Sequence, residues 1–385
     1  MKYAGLFVIL FFRRTIFEKS TCFLLAGLEV CYFMCSNLNN YPWKVITEYG
    51  DGTLIDFSVN TNSLGIPRAV KENINAIADI SGVYPDPECN QLTACLSKKY
   101  NVPATHILCG NGADDLLYRL VFAVKPKRAI IVEPTFEEYQ CALKLVNCDV
   151  LHYTLSEVGG FELDEKILSI IQTDCDMLFL CNPNNPTGKI VSKTLVEKIL
   201  DCCVKNNIIA VIDECFIEFL PQWRDYSAKS LTTKYENLVV IDAFTKTHAL
   251  AGFRLGFCIS SNTDLLSRMY SYGQSFSVST PAQFAGLCAL MDETYMQKTY
   301  QVLLSERDWL FGELEKLPLI VFSSKGNFLL FKSPIKNMRQ ELLERGIKVR
   351  DCSHFYGLSS AFCRIAIRKR SDNEVLIKVL ADILL

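Results

Sequence analysis

The sequence has no Cys-x-x-Cys pair, no histidines at metal-ligand spacing and no Gly-Lys-Ser/Thr phosphate loop. It also lacks any apolar run of the ~20 residues that cross a bilayer. Net charge is nearly absent too: 40 basic residues stand against 42 acidic ones, a balance of −2. Without an excess of positive charge there is no long-range field to gather nucleic acid or an anionic membrane surface, so neither partner is expected. The 17 cysteines would suggest a disulfide framework or a zinc site if their spacing allowed either. Cys202-Cys203 is a doublet too tight to chelate one ion, His106, His152, His248 and His354 are scattered, and most thiols sit in apolar runs such as Met177–Cys181. No metal is expected, and buried reduced thiols in a cytoplasmic setting fit best.

Residues 1–54 read as an N-terminal extension with no catalytic part. The apolar stretch Ala4–Phe12 is cut by Arg13-Arg14, and the second, Cys22–Cys35, contains Glu29. No small-residue cleavage site follows the first, which argues against a signal peptide.

What is present is a large core. Half of the 385 residues are hydrophobic and 24 are Phe. That is enough for one large α/β domain with a satellite. From about residue 55, short apolar segments alternate with amphipathic ones, the pattern of a mostly parallel sheet covered on both faces. Strands are expected at Ala129–Val132, Met177–Cys181, Ile208–Ile212, Asn237–Ile241 and Leu255–Ile259. A helix is expected over Thr194–Lys205, where Leu195, Ile199 and Cys202 share a face. After about residue 275, long helices and a few strands, including Asn327–Phe331 and Cys363–Ile367, imply a smaller domain. The expected fold class is α/β: a three-layer αβα large domain at 55–275 with a mixed, mostly parallel sheet, plus a small α+β domain at 276–385.

Ligands of open α/β sheets collect beyond the carboxyl ends of strands, so polar residues that follow apolar runs are the ones to inspect. Cys109-Gly110-Asn111-Gly112-Ala113-Asp114-Asp115 opens an apolar helix and can turn its N–H groups to an anion; a glycine-capped turn is the bland alternative. Asn182-Pro183-Asn184-Asn185-Pro186-Thr187-Gly188 makes a stiff turn that fixes an amide above the sheet edge. Asp213-Glu214 delivers carboxylates that, if buried, require a cationic partner. Ala243-Phe244-Thr245-Lys246 places a lysine at a strand end, followed by Arg254 in Gly252-Phe253-Arg254-Leu255-Gly256. An amine among apolar neighbours loses basicity, which suits a Schiff base, and a guanidinium suits phosphate.

In this order the four strings resemble the fold type I enzymes of pyridoxal 5′-phosphate, in the class I/II aminotransferase superfamily. The resemblance covers about residues 55–385. It implies that Lys246 forms the covalent bond to the cofactor and then moves the proton at Cα, and that Asp213 pairs with the pyridine nitrogen. Asn185 would bind the cofactor's O3′, Phe136 would stack on its ring, and Gly112, Ala113, Asp114, Thr245 and Arg254 would cup its phosphate. Tyr84 would reach the phosphate of a neighbouring subunit, making the active unit a homodimer. On the substrate side the resemblance implies an arm at 55–67 with Asn62, Arg364 for the α-carboxylate, and Arg350 for a substrate phosphate.

Within the superfamily, Asp56-Phe57-Ser58-Val59-Asn60 and Asp213-Glu214-Cys215-Phe216 look more like threonine-phosphate decarboxylases than histidinol-phosphate aminotransferases, which usually carry Tyr where Phe216 stands. The expected substrate is a small phosphorylated amino acid or amine. Two reactions stay open, because the Cα bond that stands perpendicular to the pyridine ring decides between decarboxylation and transamination. A non-catalytic relative is the third alternative.

Overall fold

In the computed structural model, which describes residues 54–171 and 174–385, alternate residues of one sheet face two helical layers. A two-residue strand β1 (Ile55–Asp56) precedes seven strands: β2 (Ile107–Gly110), β3 (Arg128–Glu133), β4 (Asp149–Thr154), β5 (Met177–Cys181), β6 (Ile209–Asp213), β7 (Leu238–Ala243) and β8 (Gly256–Ile259). Their order is β2-β8-β7-β6-β5-β3-β4, and β8 runs against the other six.

The side-chain period of two splits the apolar strands between the layers. Ile130, Leu178, Leu180, Ile212 and Val240 pack with Val196, Ile199 and Cys203 of the helix Lys193–Lys205, which Ser192 caps through the Leu195 N–H. Ile131, Phe179, Val211, Val239 and Ile241 pack on the other face with Leu116 and Leu120 of the helix Ala113–Val124 and with Leu265 and Met269 of the helix Thr263–Ser271. This is the expected three-layer αβα arrangement with a mixed, mostly parallel sheet. β5 has the expected bounds, and the other strands read from the sequence shift by one or two residues. β4 was not expected: it lies at the sheet edge and is nowhere fully buried, so it lacks a continuous apolar run.

Beyond residue 275 come the helices Thr280–Met291, Glu293–Leu314 and Arg370–Leu384, and five strands: β9 (Ile320–Phe322), β10 (Phe328–Lys332), β11 (Ile347–Lys348), β12 (Arg350–Asp351) and β13 (Phe362–Ala366). Four of them form an antiparallel sheet ordered β12-β13-β10-β9, while β11 pairs in parallel with β1. Leu329, Phe331, Cys363 and Ile365 face the helices through Leu310, Leu314, Leu376 and Leu380. Leu330 and Phe362 face the opposite way, into the core shared with the large sheet. Arg364 lies between Cys363 and Ile365, so the same alternation turns it toward the large sheet.

Residues 55–385 form one compact unit. Among the described residues no helix is long and apolar enough to cross a membrane. Cys109, Cys181, Cys203, Cys258 and Cys363 carry buried free thiols. The expectations about the extension up to residue 54 lie outside the described residues, apart from Leu54 itself.

Candidate active site

A cavity of about 350 Å³ opens where the carboxyl ends of β5, β6 and β7 meet Arg350 and Arg364 from the second sheet. Asp213 is the last residue of β6, and Lys246 stands three residues beyond β7 in the short helix Phe244–Thr247. β6 and β7 pair in parallel with Asp213 opposite Ile241, so β7 runs two residues past the end of β6, and the side chains of Asp213 and Lys246 both line the cavity. Phe136, Asn185, Thr245, Arg254, Ala113 and Asp114 line it as well.

Asp213 is 8% exposed. Its carboxylate accepts the Tyr139 hydroxyl at 2.7 Å and the Cys215 N–H at 2.9 Å. Among the described residues no cation lies in ion-pair range of it, although the adjacent Glu214 meets Lys229 at 2.8 Å. A buried carboxylate turned to a cavity without a counter-charge is a fit for a cation brought by a ligand. Tyr139 was not read from the sequence; its signal is the spacing of one turn from Phe136, against whose ring it packs edge-on.

Burial lowers the Lys246 amine to about 8, and the positive charge of Arg364 pushes it the same way. Near neutral pH a usable fraction of this amine is therefore neutral and nucleophilic. Asn62, expected on the substrate side, does not line the cavity. Its amide donates to the Thr247 carbonyl at 2.9 Å and to Thr299 Oγ1 at 2.8 Å, its Oδ1 accepts the Leu64 N–H, and its own N–H reaches the Lys246 carbonyl. With every polar group engaged, Asn62 clamps the backbone that carries Lys246 and has nothing left for a substrate.

The glycine turn forms a close-walled cradle. Gly112 has φ +88°, and a Cβ there would sit 2.6 Å from Arg254 Nη2. Gly256, opposite Gly110 in the β2–β8 register, leaves no room either: a Cβ would lie 2.6 Å from the Ala113 nitrogen and the Gly112 carbonyl carbon. The start of the helix Ala113–Val124 thus faces Arg254, which also approaches Asp114 at 3.5 Å. Backbone N–H groups at a helix N-terminus beside a guanidinium suit a phosphate dianion.

Arg364 donates to the Asn185 Oδ1 and, at 2.8 Å, to the Ser58 carbonyl, so the two residues expected for cofactor and substrate touch each other. Its Nε is buried without a partner among the described residues, and burial lowers the guanidinium to about 10. Arg350 lies opposite Arg364 in the β12–β13 register, and both line the cavity. Glu137, absent from the expected set, accepts Arg350 Nη2 at 2.9 Å. Arg368 turns elsewhere, to Asp372 and the Asp56 carbonyl. Tyr84 stands 83% exposed against the Phe276 ring, outside the cavity of its own chain.

A family model for class I and II aminotransferases matches residues 52–380. A threonine-phosphate decarboxylase of Salmonella typhimurium is 35% identical over 334 residues, covering 86% of this chain and 91% of that protein. A histidinol-phosphate aminotransferase of Methanocaldococcus jannaschii is 30% identical over 341 residues, covering 86% and 89%. The crystal structure of the histidinol-phosphate aminotransferase from Clostridium acetobutylicum superposes with a TM-score of 0.80 at 29% identity, over 86% of this chain and 99% of that one. The chain belongs to the class I and II aminotransferases, enzymes that work with pyridoxal 5′-phosphate.

Proposed function

We propose that this chain decarboxylates a small phosphorylated amino acid, in the manner of a threonine-phosphate decarboxylase. The observation that carries the reading is the pair Arg350 and Arg364, set opposite each other on neighbouring strands in one cavity. Like charges placed opposite each other destabilise a sheet, and a ligand with two anionic groups offsets that cost. An amino acid phosphate has two such groups, an α-carboxylate and a phosphate. The names of the relatives point the same way, since threonine-phosphate decarboxylases match at 35% and 34% identity.

The residues then have distinct tasks. Arg364, fixed by Asn185 and Ser58, holds the α-carboxylate with its unpartnered edge. Arg350 leaves Glu137 to hold the phosphate. Gly112, Ala113, Asp114, Thr245 and Arg254 would hold the phosphate of the cofactor, Phe136 would support its ring and Asn185 would serve its O3′. Asp213 would hold a proton on the pyridine nitrogen by charge pairing. Lys246 would hold the cofactor through its weakened amine and, at the head of the cavity, would be the group that carries the proton for Cα. When bound, the cofactor supplies the electron sink that accepts the pair left at Cα by the departing carbon dioxide. We further propose a cytoplasmic homodimer in which Tyr84 completes the partner's phosphate cradle, with residues 55–275 as the cofactor domain and 276–385 as the smaller one.

The second reading is a histidinol-phosphate aminotransferase, favoured by the TM-score of 0.80 to such an enzyme. One experiment separates them: the cofactor-loaded enzyme is incubated with threonine phosphate, and separately with histidinol phosphate plus 2-oxoglutarate. Carbon dioxide release in the first supports the decarboxylase. Glutamate formation in the second, without carbon dioxide in the first, replaces it with the transaminase.

A further inference from the structure

A second cavity, of about 510 Å³, lies apart from the one that holds Lys246. Its walls come from both halves of the chain: Lys189 from the loop after β5, Arg307 from the helix Glu293–Leu314, and Ser323 and Lys325 from the loop after β9. Lys189 and Arg307 are largely buried there, with side chains 15% and 13% exposed. Their carboxylate neighbours line the same cavity and are largely exposed to solvent. Glu162, at 3.4 Å from Lys189, is 73% exposed, and Asp308, at 3.9 Å from Arg307, is 80% exposed.

Other buried cations of this chain are treated differently. Lys229 meets Glu214 and Asp242 at 2.8 Å each, and Arg119 meets Asp115 at 2.8 Å. A cation taken out of water with only a solvent-exposed counter-charge is weakly compensated, and in the active site Arg364, which has none among the described residues, faces the ligand cavity. Arg307 donates to the Lys325 carbonyl at 3.2 Å and the Gly326 carbonyl at 3.5 Å. Burial pushes its guanidinium below the usual range. Lys189 Nζ lies 2.9 Å from Ser323 Oγ, which supplies a hydroxyl beside the charge. Among the described residues no carboxylate comes within ion-pair range of Lys325.

We propose that this cavity is a second anion site, which takes a small molecule carrying a phosphate monoester between Lys189, Arg307 and Ser323. Three cations, two of them largely buried, face two exposed carboxylates across the cavity, which leaves its lining positive and suits an anion, and the space left over, against Leu163, Ile190 and Phe311, fits a small organic remainder. One turn borders both cavities. The Asn184 N–H donates to the Lys189 carbonyl and the Lys325 N–H to the Gly188 carbonyl, both at 2.8 Å. Gly188 packs so closely on Ser324 that a Cβ would lie 1.9 Å from its hydroxyl. That turn carries Asn185, the partner of Arg364.

The test titrates inorganic phosphate calorimetrically into the full-length, cofactor-loaded enzyme bearing Arg350→Gln, which removes the active-site cation for a phosphate. Binding of one equivalent is expected, with the dissociation constant raised at least tenfold by a further Arg307→Gln or Lys189→Gln. The exposed Lys325→Gln, which puts the fold at little risk, should weaken it about threefold. Absence of binding overturns the proposal, and so does binding whose affinity and stoichiometry survive both Arg307→Gln and Lys189→Gln. Melting temperatures without phosphate, equal across the variants, separate a lost site from a damaged fold.

Discussion

Removing one oxygen from Tyr139 tests how Asp213 is held. Tyr139→Phe keeps the ring that stacks on Phe179 at 5.3 Å and leaves one carboxylate oxygen of Asp213 without its 2.7 Å donor. An unsatisfied buried acceptor costs ~1–3 kcal/mol, so cofactor affinity should fall about tenfold while the fold is kept. The dissociation constant for pyridoxal 5′-phosphate measures this, and unchanged affinity would show that the Cys215 N–H suffices. At Lys246 the expected signature is a pH profile. Only the neutral amine bonds an aldehyde, and a folded-state value near 8 means that the neutral fraction rises with pH through about 8 and levels off above it. An amine at its ordinary value would still be gaining at pH 10. Mixing apoenzyme with cofactor across this range and following the visible band gives the midpoint, and Lys246→Ala should abolish the band. Glu137 offers a third measurement. Its half-exposed pair with Arg350 competes with an incoming phosphate, so Glu137→Gln should lower KM for the phosphorylated substrate about two- to fivefold, with kcat unchanged and the unphosphorylated analogue unaffected.

Among the elements, the strand ends hold the site together from below. Lys229 bridges Glu214, just past β6, to Asp242, near the end of β7, and all three are buried. Lys229→Met leaves two carboxylates unpaired and should cost ~3–5 kcal/mol, seen as a lowered melting temperature of the holoenzyme. A drop too small to measure would mean that water reaches the pair. Gly256 is a comparable joint between β8 and the glycine turn: the atoms a Cβ would meet are backbone and cannot swing aside. The sequence made these strand ends legible where chemistry and burial coincide. The central strands are apolar along their length and stop at a polar residue, so Asp213, Asn185 and Lys246 announce themselves. Residues whose meaning depends on distant neighbours do not. Tyr139 meets Asp213 across 74 residues and Glu137 meets Arg350 across 213, and no local pattern joins either pair. Asn62 shows the opposite failure, since its place in the arm suggested substrate while its bonds tie down the lysine segment. Lys229, in a polar stretch, reads as a surface lysine until the fold closes over it.

For the whole molecule the open question is whether one chain suffices for one site. Tyr84 projects into solvent, where a hydroxyl contributes nothing to the cavity of its own chain, and it is held there by Phe276 with Thr280 bonded to the Val83 carbonyl at 2.7 Å. An aromatic kept at the surface by its own loop suits contact with a second copy. Subunit mixing distinguishes the arrangements. Lys246→Ala has no working lysine, and Tyr84→Phe lacks the hydroxyl; each alone should give weak activity at limiting cofactor. If Tyr84 serves the neighbouring site, about half of the randomly mixed dimers pair the two variants, and each mixed dimer regains one site with both native groups, so that about a quarter of all sites recover. If Tyr84 acts within its own chain, every lysine-bearing site still lacks the hydroxyl and mixing restores nothing. Recovery after co-refolding, absent when the two variants are combined without subunit exchange, therefore assigns Tyr84 to the partner's cradle; activity equal to the sum of the two variants returns it to its own.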